Sequence, residues 1–544
     1  MVRGTLLVVA AAAGAASALW PLPTGLSTGT KALTLSSHFD IDTSAISNPP
    51  QDLLDAITRT KGFLKTDQLQ ILTVDRGASF APQLKTAKSL SSLVLSFDKG
   101  HSGKVTSISE EALDKIENRV EGYSLTVPAD GSAATIKANS TLGLFRGLTT
   151  FGQLWYDLNN VTYTVESPIQ ITDGPVYAYR GFMLDTARNF FPVSDILRTL
   201  DAMSWVKMTT FHWHMVDSQS FPIEVPEFPE LSAKGSYGAS FIYSVDDVQN
   251  IVSYAAARGI DVLPEVDTPG HTTSIAEAFP EHIACAFATP WASFANEPPA
   301  GQLRFANADT ANFTASLISS ISSRFPVNMP CYTADEQTQA DLNATGKTFN
   351  QALDTFMQGN HAVLESSGKT PVVWEEMVLE FNLTLSNETI VMVWISADDA
   401  AAVTSQGFRI VRADSVAYYL DCGGGGWVGN DPSDNSWCDP FKTWQFTYTF
   451  DPTANLTDAQ AALVIGGEQL LWTEQSHASN LDSIVWPRAS ASAEVYWSGF
   501  GGNDSAALPR LHDLAFRMTQ RGVGAIALQP LWCALRPGVC DIDA

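Results

Sequence analysis

Positive charge is scarce in this sequence. Its 544 residues carry 32 Lys and Arg against 58 Asp and Glu, a formal net charge of −26, with an isoelectric point near 4.6. A surface of that sign repels phosphate, so nucleic acid is excluded as a partner. Downstream of the N-terminus no apolar run reaches the ~18–20 residues that a membrane-spanning helix needs, so no membrane span is expected. The chain has no CxxC pair and no HExxH, which leaves a zinc site without support; no metal is expected. Cysteine is sparse, at six residues. An even, small number fits three disulfides formed in an oxidising compartment. Spacing suggests sequential pairs: Cys285 with Cys331, Cys422 with Cys438, and Cys533 with Cys540.

What is present points to export. Arg3, the apolar stretch Leu6 to Ala13 and the small residues Ala16-Ser17-Ala18 read as a signal peptide over residues 1–18. Eight Asn-X-Ser/Thr sequons, at Asn139, Asn160, Asn312, Asn343, Asn382, Asn387, Asn455 and Asn503, agree with a secreted, extracellular glycoprotein. An apolar share of 45% and a charged share of 17% belong to a globular protein, and the length suffices for two or three domains.

The Thr172-Asp173-Gly174-Pro175 turn cluster divides the chain. Residues 19–172 read as a smaller α/β domain with an antiparallel sheet. It has strand-like alternation at 92–97, a hairpin around Asp130-Gly131 and a helix over 142–155. From 173 to 544 the pattern changes. Short apolar runs at 179–186, 210–216, 261–267, 370–377, 389–396, 408–414 and 464–474 alternate with helical periodicity, for instance at 313–325 and 349–364. A last helix at 508–521 is followed by a strand-like run, GAIALQPL. With a fourth strand between the third run and that at 370, this is a (β/α)8 TIM-type barrel with a C-terminal helix. In such barrels chemistry sits at the C-terminal ends of the strands.

Polar and aromatic residues gather around those strands: Arg180, Asp217, His271, Trp374, Trp394, Tyr419, Asp421, Trp472 and Glu474. Taken singly, Arg180, His212, His214 or Asp217 reads as well as part of a buried structural network. Three tryptophans at corresponding strand ends are harder to dismiss as core. Aromatic faces suit the C–H faces of a sugar, while carboxylates and guanidinium groups bind its hydroxyls.

The segments YRGFMLDTARNFFP, HWHMVDSQSFPIE, PEVDTPGH, VVWEE, YYLDCGGGGW and GGEQLLWTE, with WPRASASAEVYWS, resemble glycoside hydrolase family 20 and, within it, secreted fungal β-N-acetylhexosaminidases. The resemblance runs in order over nearly the whole mature chain. It implies an exo-acting enzyme that releases terminal N-acetylglucosamine or N-acetylgalactosamine from oligosaccharides such as chitin fragments. The mechanism would be substrate-assisted and retaining, without a cofactor: the acetamide oxygen is the nucleophile. The resemblance gives Arg180 and Glu474 the sugar's 3- and 4-hydroxyls. Trp374, Trp394 and Trp472 wall the acetamide pocket, Tyr419 donates to its carbonyl, and Asp421 binds an outer hydroxyl. Asp217 and His271 form a relay behind the general acid. A homodimer is also an expectation of the resemblance alone.

The family pattern requires an Asp-Glu pair ending the fourth strand, the Glu as general acid and the Asp as orienter of the acetamide. Two registers are open. In one, Asp335 and Glu336 are that catalytic pair. In the other, the fourth strand is truncated and its pair missing between Pro326 and Val327, so that VNMPCY is what ordinarily follows it. The residues favour the second, because Pro330 cannot donate to a ladder and Asn328 adds a polar group. The alternative functions are then a catalytically impaired member that only binds sugar, or a secreted structural glycoprotein.

Overall fold

The computed structural model describes residues 18–99, 103–321, 329–542 and 544. The expected leader lies outside these residues apart from Ala18, and so does the Pro326–Val327 junction.

The first six strands are β1 (Gly25–Asp42), β2 (Lys88–Phe97), β3 (Tyr123–Val127), β4 (Ala134–Ala138), β5 (Tyr156–Leu158) and β6 (Val161–Asp173), arranged in the order β1-β2-β4-β3-β6-β5. Alternation of apolar residues in β3 and β4 buries one face of their hairpin, which turns at Gly131 with φ +83°. The helix Thr141–Gln153 covers that face, capped by Ser140, whose hydroxyl accepts from Gly143 N. A side chain on Gly147 would meet Ile136 at 2.6 Å, so glycine here lets helix and sheet approach. The sheet is mixed, which corrects the antiparallel expectation: β1–β2 and β2–β4 pair in parallel. The segment between β1 and β2 holds the helix Gln51–Thr66 and is long enough for a crossover, a feature that strand alternation does not reveal.

The second unit is a curled parallel sheet. Its strands are β7 (Tyr179–Asp185), β8 (Thr210–Val216) and β9 (Asp261–Val266), then a small ribbon of β10 (Ile283–Ala284) with β11 (Gln302–Leu303). After these come β12 (Val372–Trp374), β13 (Ile390–Val393), β14 (Arg409–Arg412) and β15 (Val464–Leu471). The order is β12-β13-β14-β15-β7-β8-β9. Every residue of β7 and β8 is buried, as expected for strands covered on both faces. The last long helix is Asp504–Gln520. The run expected as a further strand, 524–531, forms none, since β15 already pairs with β7 and leaves it no place.

This is a TIM-type barrel in which seven parallel strands are formed. Among the described residues no strand joins β9 to β12. Where the fourth was expected, Met329–Ala334 and Glu336–Thr345 are helical. Pro330, unsuited to an interior strand, falls in the first turn of a helix, where its missing N–H costs nothing. Two of the three expected disulfides are closed, Cys422–Cys438 and Cys533–Cys540. Cys285 and Cys331 are thiols, a correction to the third pair; the Cys285 thiol donates to the Cys331 carbonyl at 3.4 Å instead of bonding its sulfur. No helix among the described residues is long and apolar enough to cross a membrane.

A buried ionic clasp joins the two units beneath the barrel. Glu121 accepts from Arg180 Nη2 at 2.7 Å and from Arg146 Nε at 2.8 Å. Arg146 Nη2 donates onward to the Gly259 carbonyl at 3.0 Å. Lys207 Nζ donates to Asp173 at 2.9 Å and lies 4.2 Å from the Trp497 ring centroid. Burial alone would raise the Glu121 carboxyl, but the two guanidinium groups hold it below the usual range. Removing one member leaves its partners charged, buried and unpaired. Glu121→Ala should therefore cost about 3–5 kcal/mol of unfolding free energy in a denaturant titration. A loss below about 1 kcal/mol would contradict the clasp.

Candidate active site

The parallel strands fix where their last residues point. Asp217 follows β8 directly, Trp374 ends β12, Trp394 follows β13, and Trp472 and Glu474 follow β15. Arg188 stands three residues past β7, and His271 lies in the turn after β9 with φ +50°. Tyr419 comes after a helical turn, Ser415–Tyr418, and bridges to Leu470. The disulfide Cys422–Cys438 ties the loop next to Asp421.

These ends enclose a cavity of about 930 Å³ lined by Arg188, Asp267, His271, Glu297, Trp374, Glu376, Trp394, Tyr419, Asp421, Trp437, Trp472 and Glu474, among others. Its aromatic wall is continuous. Trp394 and Tyr419 stack with their planes 9° apart, Trp437 sets its edge to Trp394 at 5.6 Å, and Tyr419 lies 6.3 Å from Trp472. The indoles are fixed by carboxylates: Trp374 Nε1 donates to Glu265 at 2.9 Å, and Trp394 Nε1 to Glu376 at 3.1 Å.

Against Trp374 and Trp472 runs a chain of alternating acids and imidazoles. His271 Nδ1 is 3.0 Å from Asp217 Oδ1, and His214 Nε2 is 2.8 Å from Asp217 Oδ2. His214 and His212 both hold Glu265, at 2.7 and 2.8 Å, and His212 also meets Glu468 at 2.9 Å. Burial would lower these imidazoles. The neighbouring carboxylates outweigh it, pushing His212 up to about 9 and holding His214 and His271 well above the ordinary value. Burial pushes Asp421 up to about 7 and Glu474 up to about 8, so each keeps a proton in weakly acidic solution that a free carboxyl would lose. Arg188 is the guanidinium of the site. It contacts Asp217 at 2.9 Å and Asp185 at 3.4 Å, and lies 4.9 Å from the Trp472 ring centroid.

Of the residues expected from sequence, the cavity brings together His271, Trp374, Trp394, Tyr419, Asp421, Trp472 and Glu474, with Asp217 buried directly behind. It does not bring Arg180. That residue is second in β7, at the N-terminal end of the strand, and its guanidinium is spent on Glu121 in the clasp. Asp335 and Glu336 do not line the cavity either. Asp335 caps the helix Glu336–Thr345, its carboxylate accepting from Thr338 N at 2.7 Å, and Glu336 is exposed at the first position of that helix. Two carboxylates committed to a helix start cannot end a barrel strand: listing them as the catalytic pair, as the first register has it, is corrected, and their place is the one expected of the second register. Sequence reasoning missed Glu297, Glu376 and Trp437; it set Arg188 just after the first strand, where a site is expected, but gave the sugar hydroxyls to Arg180.

An aromatic bowl with a guanidinium and proton-bearing carboxyls at the C-terminal rim of a β/α barrel is the site of a carbohydrate-active protein. The model of glycosyl hydrolase family 20, catalytic domain, matches residues 177–500, and that described as beta-acetyl hexosaminidase like matches 19–154. The chain belongs to glycosyl hydrolase family 20. It is 32% identical over 458 residues to a beta-hexosaminidase of Arthroderma benhamiae, covering 78% of this chain and 75% of that one. It is 34% identical to a beta-hexosaminidase of Emericella nidulans, covering 78% of each. A chitooligosaccharidolytic beta-N-acetylglucosaminidase of Bombyx mori is 33% identical, with 80% of this chain and 76% of that one covered. Among solved structures, Flavobacterium johnsoniae chitobiase superposes with a TM-score of 0.72 at 27% identity, covering 93% of this chain and 73% of that one.

The raised carboxyls make stability depend on pH. Where the folded protein keeps a proton that the unfolded chain releases, stability falls as pH climbs from about 4 and levels off above about 8 for Glu474. Glu474→Gln removes that loss. Its stability relative to the parent should rise between pH 5 and 8.5 by on the order of 1–3 kcal/mol, discounted for partial exposure. Urea unfolding at the two pH values measures this, and parallel profiles for the two proteins would contradict it.

Proposed function

We propose that this chain is an exo-acting β-N-acetylhexosaminidase-type protein whose pocket takes a terminal N-acetylhexosamine, as at the ends of chitin fragments. The single observation carrying this reading is the aromatic bowl at one end of the barrel, with Arg188 and Glu474 on its polar side. Trp374, Trp394 and Trp472 wall the acetamide, and Tyr419 donates to its carbonyl oxygen. Asp421 binds an outer hydroxyl, and Glu474 binds the ring hydroxyls with Arg188 in the place first given to Arg180. The acetamide oxygen attacks the anomeric carbon, so the protein must hold that group in line and see that the leaving oxygen receives a proton. Asp217 and His271 act as a relay for that proton. The pocket needs no cofactor for this chemistry. Residues 19–172 act as a scaffold under the barrel.

Export and glycosylation belong to the same proposal. All eight sequon asparagines are exposed, which supports their use as acceptors in a secreted protein.

The position of Asp335 and Glu336 at a helix start supports a second reading: the sugar is bound, but hydrolysis is impaired for want of an acid and an acetamide orienter. The two readings separate in one assay. Turnover of an aryl β-N-acetylglucosaminide by this chain is compared with that of a variant carrying a strand ending in Asp-Glu between Pro326 and Val327. Loss of general-acid catalysis is worth about 10²–10⁴ in rate, so the second reading expects the variant to be faster by at least that factor. Comparable turnover would sink it and leave proton delivery to groups already in the pocket. In either case Trp394→Ala should weaken sugar binding by about tenfold, and unchanged affinity would contradict the bowl as the acetamide site.

A further inference from the structure

The hairpin loop between β10 and β11 carries a carboxylate onto Arg188, the guanidinium that lines the site among the described residues. Phe287 N donates to the Ala300 carbonyl at 2.8 Å, closing the loop on itself. Gln219 Nε2 donates to the Pro298 carbonyl at 2.8 Å and Thr273 Oγ1 to that of Pro299 at 3.0 Å, fixing the loop against the rim. These contacts hold Glu297 in front of Arg188. Its Oε1 accepts from Arg188 Nε at 3.0 Å and from Arg188 Nη2, and lies 3.5 Å from His271 Nδ1. Gln219 Nε2 donates to the same oxygen at 3.3 Å.

Arg188 is already anchored without this contact. Its Nη1 faces Asp217 at 2.9 Å and Asp185 at 3.4 Å, both buried where the strands end. Glu297 arrives from a loop and covers the other edge, Nε and Nη2, so each guanidinium nitrogen meets a carboxylate. A sugar hydroxyl is neutral and accepts a weaker hydrogen bond from an arginine than a carboxylate does. A ligand that uses the Nε/Nη2 edge must first displace Glu297.

We propose that Glu297 is a latch on Arg188, a positioning residue that occupies the sugar-binding edge of the guanidinium and sets the affinity of the pocket. The proposal rests on the sugar-site reading given above. Burial would raise the Glu297 carboxyl, but Arg188 and His271 bring it down to about 2, so it stays ionised and competes with ligand throughout the working pH range. Six other carboxyls line the same cavity, Asp267, Glu376, Glu380, Asp421, Asp434 and Glu474, but none of them makes a hydrogen bond or ion pair with Arg188 within the distances described.

The test uses the full chain and N-acetylglucosamine as the probe, with intrinsic tryptophan fluorescence reporting binding. Glu297→Gln removes the charge while keeping the shape and should bind the sugar about five- to tenfold more tightly than the parent. Glu297→Asp, one methylene shorter, should fall between the two. A contact that served only to hold the site in shape would move affinity the other way, so weaker or unchanged binding by both variants overturns the latch. Hydrogen exchange of residues 286–299 reads the same contact without sugar. The latch predicts faster exchange in Glu297→Gln and in Arg188→Lys, and equal exchange in all three proteins overturns it. If the parent fails to bind N-acetylglucosamine at any concentration, the sugar-site reading is lost, while the exchange result still decides the latch.

Discussion

Asp217 is the residue on which the site is assembled. Its carboxylate is buried and meets three groups that carry positive charge or can take it up: Arg188 at 2.9 Å, His214 at 2.8 Å and His271 at 3.0 Å. An unpaired carboxylate at that depth would be expensive, so the three partners are bound to it as firmly as it is to them. Each partner then fixes something else. Arg188 is held under Trp472, His271 is held at the cavity mouth, and His214 passes the constraint to Glu265, which in turn takes the indole N–H of Trp374. The polar and aromatic sides of the bowl are thus one connected structure, anchored to the ends of β7, β8, β9 and β12.

The sheet that presents these ends was largely legible in the sequence. Buried parallel strands read as short apolar runs, and the rule that chemistry follows their C-terminal ends picked out seven residues that line the cavity. The same rule, applied strictly, separates Arg180 from Arg188. One precedes the apolar part of β7 and points down into the clasp, while the other follows it and reaches the rim. Glu297 was not legible, because it lies on a loop whose fold depends on a two-residue ribbon and on side chains of distant elements, Gln219 and Thr273. The parallel pairings in the first sheet were hidden for a related reason: alternation shows which face is buried but not which neighbour is paired.

The gap between β9 and β12 was also visible in outline. Pro330 and Asn328 marked 327–334 as a poor strand, and the chain from Met329 onward is helical. The helix start takes Asp335 as its cap, so one carboxylate of the expected pair has a local use that keeps it from the pocket. What remains is a barrel with its aromatic wall intact and its fourth position unfilled by any described strand. The clasp at the opposite end, Glu121 with Arg180 and Arg146, ties the first sheet to the base of β7 and, through Gly259, to the residues that lead into β9.

The central claim is that the bowl binds a terminal N-acetylhexosamine. The most direct measurement is a crystal structure of the chain soaked with N-acetylglucosamine. The account predicts density for one sugar, its acetamide between Trp374, Trp394 and Trp472 and its ring hydroxyls toward Arg188 and Glu474. A sugar seated elsewhere, or lying with its acetamide in solvent and its hydroxyls against the tryptophans, would contradict it.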